Sequence, residues 1–380
     1  MDLTFYKGKK VLITGHTGFK GSWMCRTLIQ AGAEVTGYSL EPPTDPNLFS
    51  MAEIEDKMNS VIGDIRDLEK LSKAFRKVQP EIVIHLAAQP IVRDSYKDPV
   101  YTYETNVMGT VNICECVRRN PCVKSFLNVT TDKVYENKEW EWGYRENEPL
   151  DGYDPYSNSK SCSELVTHSY KNSFFNETGV AVSTARAGNV IGGGDFANDR
   201  IIPDCVRAAK EKKDIVIRNP FSTRPYQHVL EPVIAYLMIA KEQYEDAKYQ
   251  GYYNVGPDET DCVTTGDLVD LFVEKWGEGM KWVNQYDGAG FYPVISTKYI
   301  FYFGSAVAIM GIYAILWQIL LEYMPLTTAY LRKGISYIFA YLWAFLIFDE
   351  HISVMQWIGT AIILGGMVVT QLGENKEDKK

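Results

Sequence analysis

Two short runs of the chain contain the kinds of side chain that acid–base chemistry requires. Thr131, Asp132 and Lys133 are consecutive and supply a hydroxyl, an acid and an amine. Tyr156 and Lys160 follow, and if this segment begins a helix they lie one turn apart on the same face. A lysine charge beside a phenol favours the phenolate. We therefore expect Lys160 to lower the pKa of Tyr156, so that Tyr156 can act as a base toward a substrate hydroxyl.

A glycine-rich turn precedes these runs and predicts a dinucleotide site. Gly15, Gly18 and Gly21 follow a short apolar strand and open a segment with helical spacing. Such glycines permit a tight turn, a close backbone approach to a pyrophosphate, and close helix–strand packing. The free amides of the helix N-terminus then face the phosphates. The predicted cofactor-binding residues are Gly15, Thr17, Gly18, Phe19, Lys20, Gly21, Asp64, Ile65, Leu86, Ala87, Ala88, Tyr156 and Lys160.

The end of the second predicted strand favours NAD over NADP. Residues 38–40 are Tyr, Ser and Leu where an acid often holds the ribose hydroxyls, and Glu41 comes slightly late. Basic residues suited to a 2'-phosphate are also absent there. Asp64 is expected either to contact the adenine amino group or to cap a turn. Ala87 and Ala88 either leave room for the cofactor or simply pack.

Alternating strands and helices indicate an α/β fold with a Rossmann-type, doubly wound parallel sheet. Strands are predicted over residues 10–14, 34–40, 61–64, 81–86, 125–129 and 180–187, with helices over 22–31, 68–77 and 105–119. We assign the NAD-binding domain to residues 1–188. A smaller substrate lobe over 189–288, with a helix at 199–210, is expected to cover the carboxyl edge of the sheet, where ligands bind in such folds.

The last part of the chain resembles the transmembrane part of a membrane protein. Three apolar segments, at residues 299–321, 326–348 and 352–372, are each about long enough to span a bilayer. Arg332 and Lys333 should then lie near an interface or face a partner helix. We predict a junction over 289–298, three transmembrane helices over 299–373 in contact with membrane lipid, and a charged tail over 374–380. A buried helical hairpin is the alternative.

Composition excludes several classes of function. The formal net charge is -9 and no basic stripe is present, which argues against a nucleic-acid partner. The seven cysteines contain no C-x-x-C pair and the five histidines do not cluster with other ligands, so we predict reduced thiols and no metal site. The N-terminus lacks a signal pattern, so the catalytic part is expected in the cytoplasm, anchored to the membrane by the C-terminal helices.

Residues 1–288 resemble the CDP-glucose 4,6-dehydratases, a group of extended short-chain dehydrogenase/reductases. The resemblance rests on TGHTGFKGSW at 14–23, HLAAQP at 85–90, TTDKVYENKEWEW at 130–142, GYDPYSNSK at 152–160, RAGNVIGGGD at 186–195 and RPYQHVLEP at 224–232. It implies an NAD-dependent enzyme that removes water from a nucleotide-sugar. Assembly as a homodimer is left open. The runner-up activities in this class are another nucleotide-sugar dehydratase and an epimerase.

The resemblance also implies a role for each chemical side chain. Tyr156 deprotonates the 4-hydroxyl of the glucose, to which Thr131 hydrogen-bonds, and NAD takes the C4 hydride. Asp132 is the acid at C6, and Lys133 lies where the C5 base acts, which requires a neutral amine. Burial or Lys160 could lower the pKa of Lys133. Purely structural or electrostatic roles for Asp132 and Lys133 are the alternatives.

Four further positions match those that this group uses around the nucleotide-sugar. They are Gln89, Asn189, Arg200 and Arg224. The guanidinium fork of arginine suits a diphosphate because it donates to paired oxygens. Arg200 could equally form a surface ion pair.

The likeness to the dehydratases ends near residue 288, where that family continues with more of the substrate lobe. The chain instead resembles the last three helices of a small multidrug-resistance or drug/metabolite transporter, at 323–330 and 348–366, without that family's first helix and its embedded Glu. Three hypotheses follow: a membrane-anchored dehydratase, a transport or flippase subunit with a vestigial sugar-nucleotide domain, and an inactive fusion with an open substrate site.

Overall fold

The computed structural model describes residues 2–138, 140, 142–277 and 279–285, with isolated helical positions at 305, 309, 312, 315, 316, 319, 359, 365 and 366. The chain divides into two compact units, Met1–Asp287 and Gly288–Lys380. The strands and named helices lie in the first unit.

The strands, in chain order, are β1 Lys10–Thr14, β2 Glu34–Ser39, β3 Asn59–Ile62, β4 Ile82–His85, β5 Ser125–Val129, β6 Ala181–Ala187, β7 Val190–Ile191, β8 Ile215–Ile217, β9 Thr223–Arg224, β10 Gln227–His228, β11 Tyr252–Val255, β12 Val263–Thr264 and β13 Trp282–Asn284. The main sheet has the order β11-β6-β5-β4-β1-β2-β3, and all its neighbours are parallel. This confirms the predicted parallel sheet. The order reverses between β1 and β4, which opens a crevice at their carboxyl ends.

The central strands are apolar because both faces of the sheet are covered. Side chains alternate between the faces along a strand. In β1, Val11 and Ile13 therefore join one buried cluster, while Leu12 joins the other. Phe126 of β5 belongs to the same cluster as Leu12, and Leu127 belongs to the opposite one.

The helices are α1 Phe19–Gln30, α2 Leu48–Met51, α3 Leu68–Val78, α4 Val92–Lys97, α5 Pro99–Tyr103, α6 Gly109–Arg118, α7 Pro155–Tyr170, α8 Asn176–Thr178, α9 Ile201–Lys210, α10 Leu230–Glu245 and α11 Thr265–Trp276. A π-helical segment, Glu104–Met108, leads into α6, so the helix predicted over 105–119 is divided. Helix α1 begins three residues earlier than predicted, directly after Gly18.

The smaller lobe has a core of its own, built from α9, α11, β8 and β13. Cys205, Ile215, Ile217 and Val269 form its buried cluster. The chain between β6 and residue 285 does not stay in this lobe, however. Helix α10 packs against β5 and β6, and β11 extends the main sheet beside β6. The lobe predicted as a contiguous stretch over 189–288 is therefore interrupted, because residues 230–255 return to the sheet.

The predicted junction, the three predicted transmembrane helices and the charged tail lie outside the described residues, apart from the isolated helical positions given above. Within the described part of the chain, no helix combines the length and the apolar character needed to cross a membrane.

Candidate active site

The glycine turn lies at the crevice between β1 and β4. Gly15 has a φ of 77°, and a Cβ there would lie 2.8 Å from the backbone N of Ala87. Gly18 is the N-cap of α1, so the first amides of that helix point out of the turn. A Cβ on Gly21 would overlap the carbonyl oxygen of Gly15. Only glycine fits at positions 15 and 21, and the cradle fits a dinucleotide pyrophosphate.

The side chains of the turn have diverse partners. The Thr17 hydroxyl lies 2.9 Å from Ser39 Oγ and 2.9 Å from the Leu40 carbonyl oxygen, so it ties the turn to the end of β2. Phe19 packs half-buried against the core. Lys20 points elsewhere: its amine lies 5.8 Å from the ring centroid of Tyr236 on α10.

The Lys20 amine is placed among the predicted catalytic groups. Burial lowers its pKa to about 8, and the charges of Arg200 and Lys160 act in the same direction, while Asp132 opposes them. Lys20 was predicted only as a cofactor residue. Its position beside Asp132 and Lys160 was not foreseen, because nothing in the spacing of the turn indicates where so long a side chain ends.

The carboxyl ends of β3 and β4 hold the other predicted cofactor residues. The Asp64 carboxylate accepts hydrogen bonds from the backbone N and the guanidinium of Arg66. This arrangement corresponds to the alternative in which Asp64 caps a turn. Ile65 is buried in the core. The amides of Leu86 and Ala87 donate to Thr14 Oγ1 at 3.2 and 3.1 Å. These two residues and Ala88 are half-buried and face the crevice end of β4.

Helix α7 and the turn after β5 bring the predicted catalytic residues together. Asp154 caps α7 by accepting from the backbone N of Ser157. The amine of Lys160 donates to the Val129 carbonyl at 3.3 Å, and Ser161 Oγ donates to the Val134 carbonyl at 2.7 Å. These bonds fasten α7 to both ends of the short turn that contains the predicted acid and base.

Within this cluster, Thr131 contacts two of its neighbours. Its hydroxyl donates to Asp132 Oδ1 at 3.0 Å and lies close enough to the Tyr156 phenol to act toward lowering its pKa. The backbone N of Lys133 approaches the same hydroxyl at 3.5 Å. The turn after β5 thus carries Thr131, Asp132 and Lys133, and the helix that bears Tyr156 and Lys160 is fastened to that turn.

The pKa of Tyr156 differs from the expectation. Burial raises it, while the charge of Arg200 and the hydrogen bond with Thr131 act to lower it. The predicted lowering by Lys160 is therefore wrong for the protein alone. The reason is that loss of hydration disfavours a phenolate more than the surrounding groups favour it.

The two lysines predicted to be catalytic also have lowered pKa values. Burial lowers the pKa of Lys160 to about 8, and Glu164 opposes this shift. Burial is also the largest cause at Lys133, where Arg224 and Arg200 assist and Asp132 opposes. The lowering predicted at Lys133 thus agrees in direction. The charges that act to lower it are those of Arg224 and Arg200 in the smaller lobe, and Lys160 is not among them.

Not all of the predicted substrate-binding residues lie near the predicted catalytic residues. Arg200, the N-cap of α9, is close enough to affect the pKa values of Tyr156 and Lys133, and Arg224 also affects Lys133. Asn189 follows β6, and its carbonyl accepts from the backbone N of Gln227. Gln89 is buried, and its side chain is hydrogen-bonded to the Ile91 backbone and to the Thr102 hydroxyl.

Two features of the cluster escaped sequence reasoning. The Tyr236 hydroxyl is buried without a hydrogen-bond partner among the described residues, and Tyr156 and Asp132 both affect its pKa. Glu164 forms a buried ion pair with Arg186 of β6 at 3.0 Å. Glu164 lies one turn beyond Lys160 on the same helical face, which was the available signal.

No group of three His, Cys, Asp or Glu side chains in the described part of the chain could hold a metal ion.

The charged groups of the site are mostly cationic. Lys20, Lys133, Lys160, Arg200 and Arg224 contribute positive charge around Asp132 and Tyr156. Such a surplus suits a ligand that carries phosphate groups.

Comparison with known proteins gives two family matches. Residues 12–287 match the family described as GDP-mannose 4,6 dehydratase, and residues 282–372 match the EamA-like transporter family. The CDP-glucose 4,6-dehydratase of Salmonella typhimurium is 51% identical over 289 residues, which cover 74% of this chain and 80% of the relative. A probable dTDP-glucose 4,6-dehydratase of Sinorhizobium fredii is 30% identical over 258 residues, covering 65% and 71%.

Among solved structures, the UDP-glucose 4-epimerase of Thermus thermophilus, in complex with NAD, has a TM-score of 0.63 and 25% identity. The match covers 73% of this chain and 87% of the epimerase.

Proposed function

Through residues 12–287 the chain belongs to the family described as GDP-mannose 4,6 dehydratase, and on this premise we propose that it is a CDP-glucose 4,6-dehydratase. It converts CDP-glucose to CDP-4-dehydro-6-deoxyglucose and water. What supports this proposal is that Asp132 and Lys133 lie on the turn after β5, to which Lys160 and Ser161 fasten the helix that bears Tyr156. Simple epimerisation at C4 needs no such acid and base for elimination.

The chain's own residues divide the work of the reaction. Tyr156 accepts the proton of the sugar 4-hydroxyl, and Thr131 holds that hydroxyl. Neutral Lys133 removes the proton at C5, which the neighbouring ketone acidifies, and later returns it. Asp132 donates a proton to the hydroxyl that leaves from C6. The lowered pKa of Lys133 supports its role, because more of its amine is then neutral at a given pH.

NAD is the cofactor, and it fits the glycine cradle between β1 and β4. When bound there, NAD would supply the hydride chemistry that links C4 and C6 of the sugar. Gly15, Gly18 and Gly21 bind its pyrophosphate, and Lys160 orients its nicotinamide ribose. Arg200 and Arg224 hold the diphosphate of the sugar nucleotide, whose negative charge the surrounding cations stabilise.

The residues beyond 288 attach this enzyme to a membrane, a proposal supported by the match of residues 282–372 to the EamA-like transporter family. The catalytic unit then faces the cytoplasm. The same match favours a second candidate, a transport subunit with a vestigial enzyme unit. Transport of a nucleotide-sugar into vesicles that persists after Tyr156→Phe would favour that candidate.

A homodimer is the assembly we propose. Large apolar side chains are exposed along α5, the π-helical segment and α7, at Val100, Tyr103, Met108 and Leu165. A second copy of the chain would cover them. Light scattering of the purified protein measures this directly, and a monomer at micromolar concentration would contradict it.

The test of the function is mass spectrometry of the detergent-solubilised full-length protein, incubated with NAD and CDP-glucose. A parallel reaction contains dTDP-glucose. We expect loss of one water from CDP-glucose. No loss from either substrate, in protein that still binds NAD, would contradict the proposed activity.

A further inference from the structure

The hydroxyl of Tyr135 joins the end of the turn that contains the predicted acid and base to the main sheet. Tyr135 is 4% exposed and follows Lys133 and Val134 in the chain. Its hydroxyl accepts from Arg186 Nη1 of β6 at 2.8 Å and donates to Asn254 Oδ1 of β11 at 2.5 Å. One hydroxyl therefore ties the end of the turn to two neighbouring strands.

Both partners of this hydroxyl are themselves held in place. The Arg186 guanidinium forms the buried ion pair with Glu164 of α7. The Asn254 side chain donates through Nδ2 to the Tyr144 carbonyl oxygen at 2.7 Å, so that its Oδ1 faces Tyr135. A phenol can accept one hydrogen bond and donate another at the same time. The fixed donor and the fixed acceptor together determine where the Tyr135 oxygen lies.

The amine of Lys133 has no comparable support of its own. Within the part of the chain that the structure describes, this amine donates no hydrogen bond, whereas Asp132 Oδ1 accepts from Thr131 at 3.0 Å. The direction of the Lys133 side chain therefore depends on the backbone of the turn from which it starts. Because the side chain is long and flexible, a small rotation of that backbone displaces the amine by a larger distance.

We propose that Tyr135 is a positioning residue, whose hydroxyl holds the turn so that the Lys133 amine reaches the C5 proton of the sugar. This inference rests on the proposed function, because only a reaction that removes this proton needs the amine there. Tyr135 acts through the backbone that joins it to Lys133 and not by contact with the substrate. A misplacement of about 1 Å can cost a reaction roughly 100-fold in rate.

The test is Tyr135→Phe in the full-length, detergent-solubilised protein loaded with NAD. The phenyl ring can remain stacked on Tyr144, since the two ring centroids lie 5.2 Å apart, and the variant loses the two hydrogen bonds. We expect kcat for CDP-glucose to fall roughly 10-fold to 100-fold, with a smaller change in KM, because the nucleotide-sugar is bound by other residues. Native protein that forms no product would instead refute the proposed function.

Deuterium isotope effects on kcat separate positioning from a loss of folded protein. CDP-glucose deuterated at C5 reports the step in which Lys133 acts, and CDP-glucose deuterated at C4 reports the earlier step at that carbon. Because a displaced base slows its own step, we expect Tyr135→Phe to raise the C5 isotope effect and not the C4 effect. A smaller folded fraction would lower kcat and leave both isotope effects native. That result, or a native kcat, would overturn the proposal.

Two further variants complete the test. Tyr144→Phe is the matched control, because the lost hydroxyl bonds to Asn137 and to the backbone N of Lys138, and we expect native isotope effects. Asn254→Ala removes the acceptor of the Tyr135 hydroxyl at an exposed position, so it should raise the C5 isotope effect even if Tyr135→Phe does not fold. A native C5 effect in Asn254→Ala, or an equal rise in Tyr144→Phe, would overturn the proposal.

Discussion

We expect the stability of the fold behind the active site to depend strongly on the buried ion pair between Glu164 and Arg186. Their side chains are 1% and 2% exposed, and the carboxylate accepts from Arg186 Nε at 3.1 Å and from its terminal nitrogen at 3.0 Å. It also accepts from the hydroxyls of Thr130 and Thr184. Thr130 directly precedes Thr131, so this network supports the turn that contains the predicted acid and base.

Glu164→Gln retains the shape and removes the charge. The buried guanidinium then loses its counter-charge, and the amide NH₂ faces a donor where a carboxylate oxygen accepted. Breaking a buried pair in this way costs about 3–5 kcal/mol. For a unit of this size, such a loss lowers the melting temperature by roughly 6–20 °C.

Thermal unfolding of the detergent-solubilised protein, followed by tryptophan fluorescence, measures the effect. Glu69→Gln is the matched control, because Glu69 and Lys73 form an exposed pair on α3, and we expect no change in melting temperature. Glu164→Leu combined with Arg186→Met removes both charges and should recover most of the loss. A Glu164→Gln variant that melts with the native protein would refute the reasoning, because it would mean that Arg186 does not need this counter-charge.

Three further predictions concern the site itself. Gly15→Ala should abolish NAD binding, measured by calorimetry, because φ is 77° and the added methyl meets the end of β4; retained binding would contradict the cradle. Arg224→Gln should raise the pKa of Lys133 and move the acidic limb of the kcat–pH profile to higher pH, since the base must be neutral. Arg218→Gln, which loses only a surface ion pair, is its control, and identical profiles would exclude the coupling. Tyr156→Phe should remove the ketone product in the mass-spectrometric assay, and full turnover would eliminate the assigned base.

The sequence by itself was enough to predict the sheet and the residues proposed to carry the chemistry. Short apolar runs of β-branched residues, separated by amphipathic segments, can bury both faces only as a parallel sheet with helices on each side. The glycine spacing after β1 and the pairing of Tyr156 with Lys160 are local features, so they could be recognised without knowledge of the fold.

Sequence reasoning failed where a contact joins residues that are far apart along the chain. The return of residues 230–255 to the sheet depends on pairing of β11 with β6, and the short, half-polar β11 gives a weak local signal. The sequence motifs also gave no indication that the Gln89 side chain is hydrogen-bonded to Ile91 and Thr102.

Tertiary structure alone decided the electrostatics of the site. The pKa of Tyr156 is raised because folding buries the phenol, and Asp132 affects the pKa of Lys20 because α1 begins at the edge of the sheet where β5 ends. The type and spacing of residues determine which groups can react. Desolvation and the proximity of distant charges determine in which protonation state they do so, and both arise only when the chain is folded.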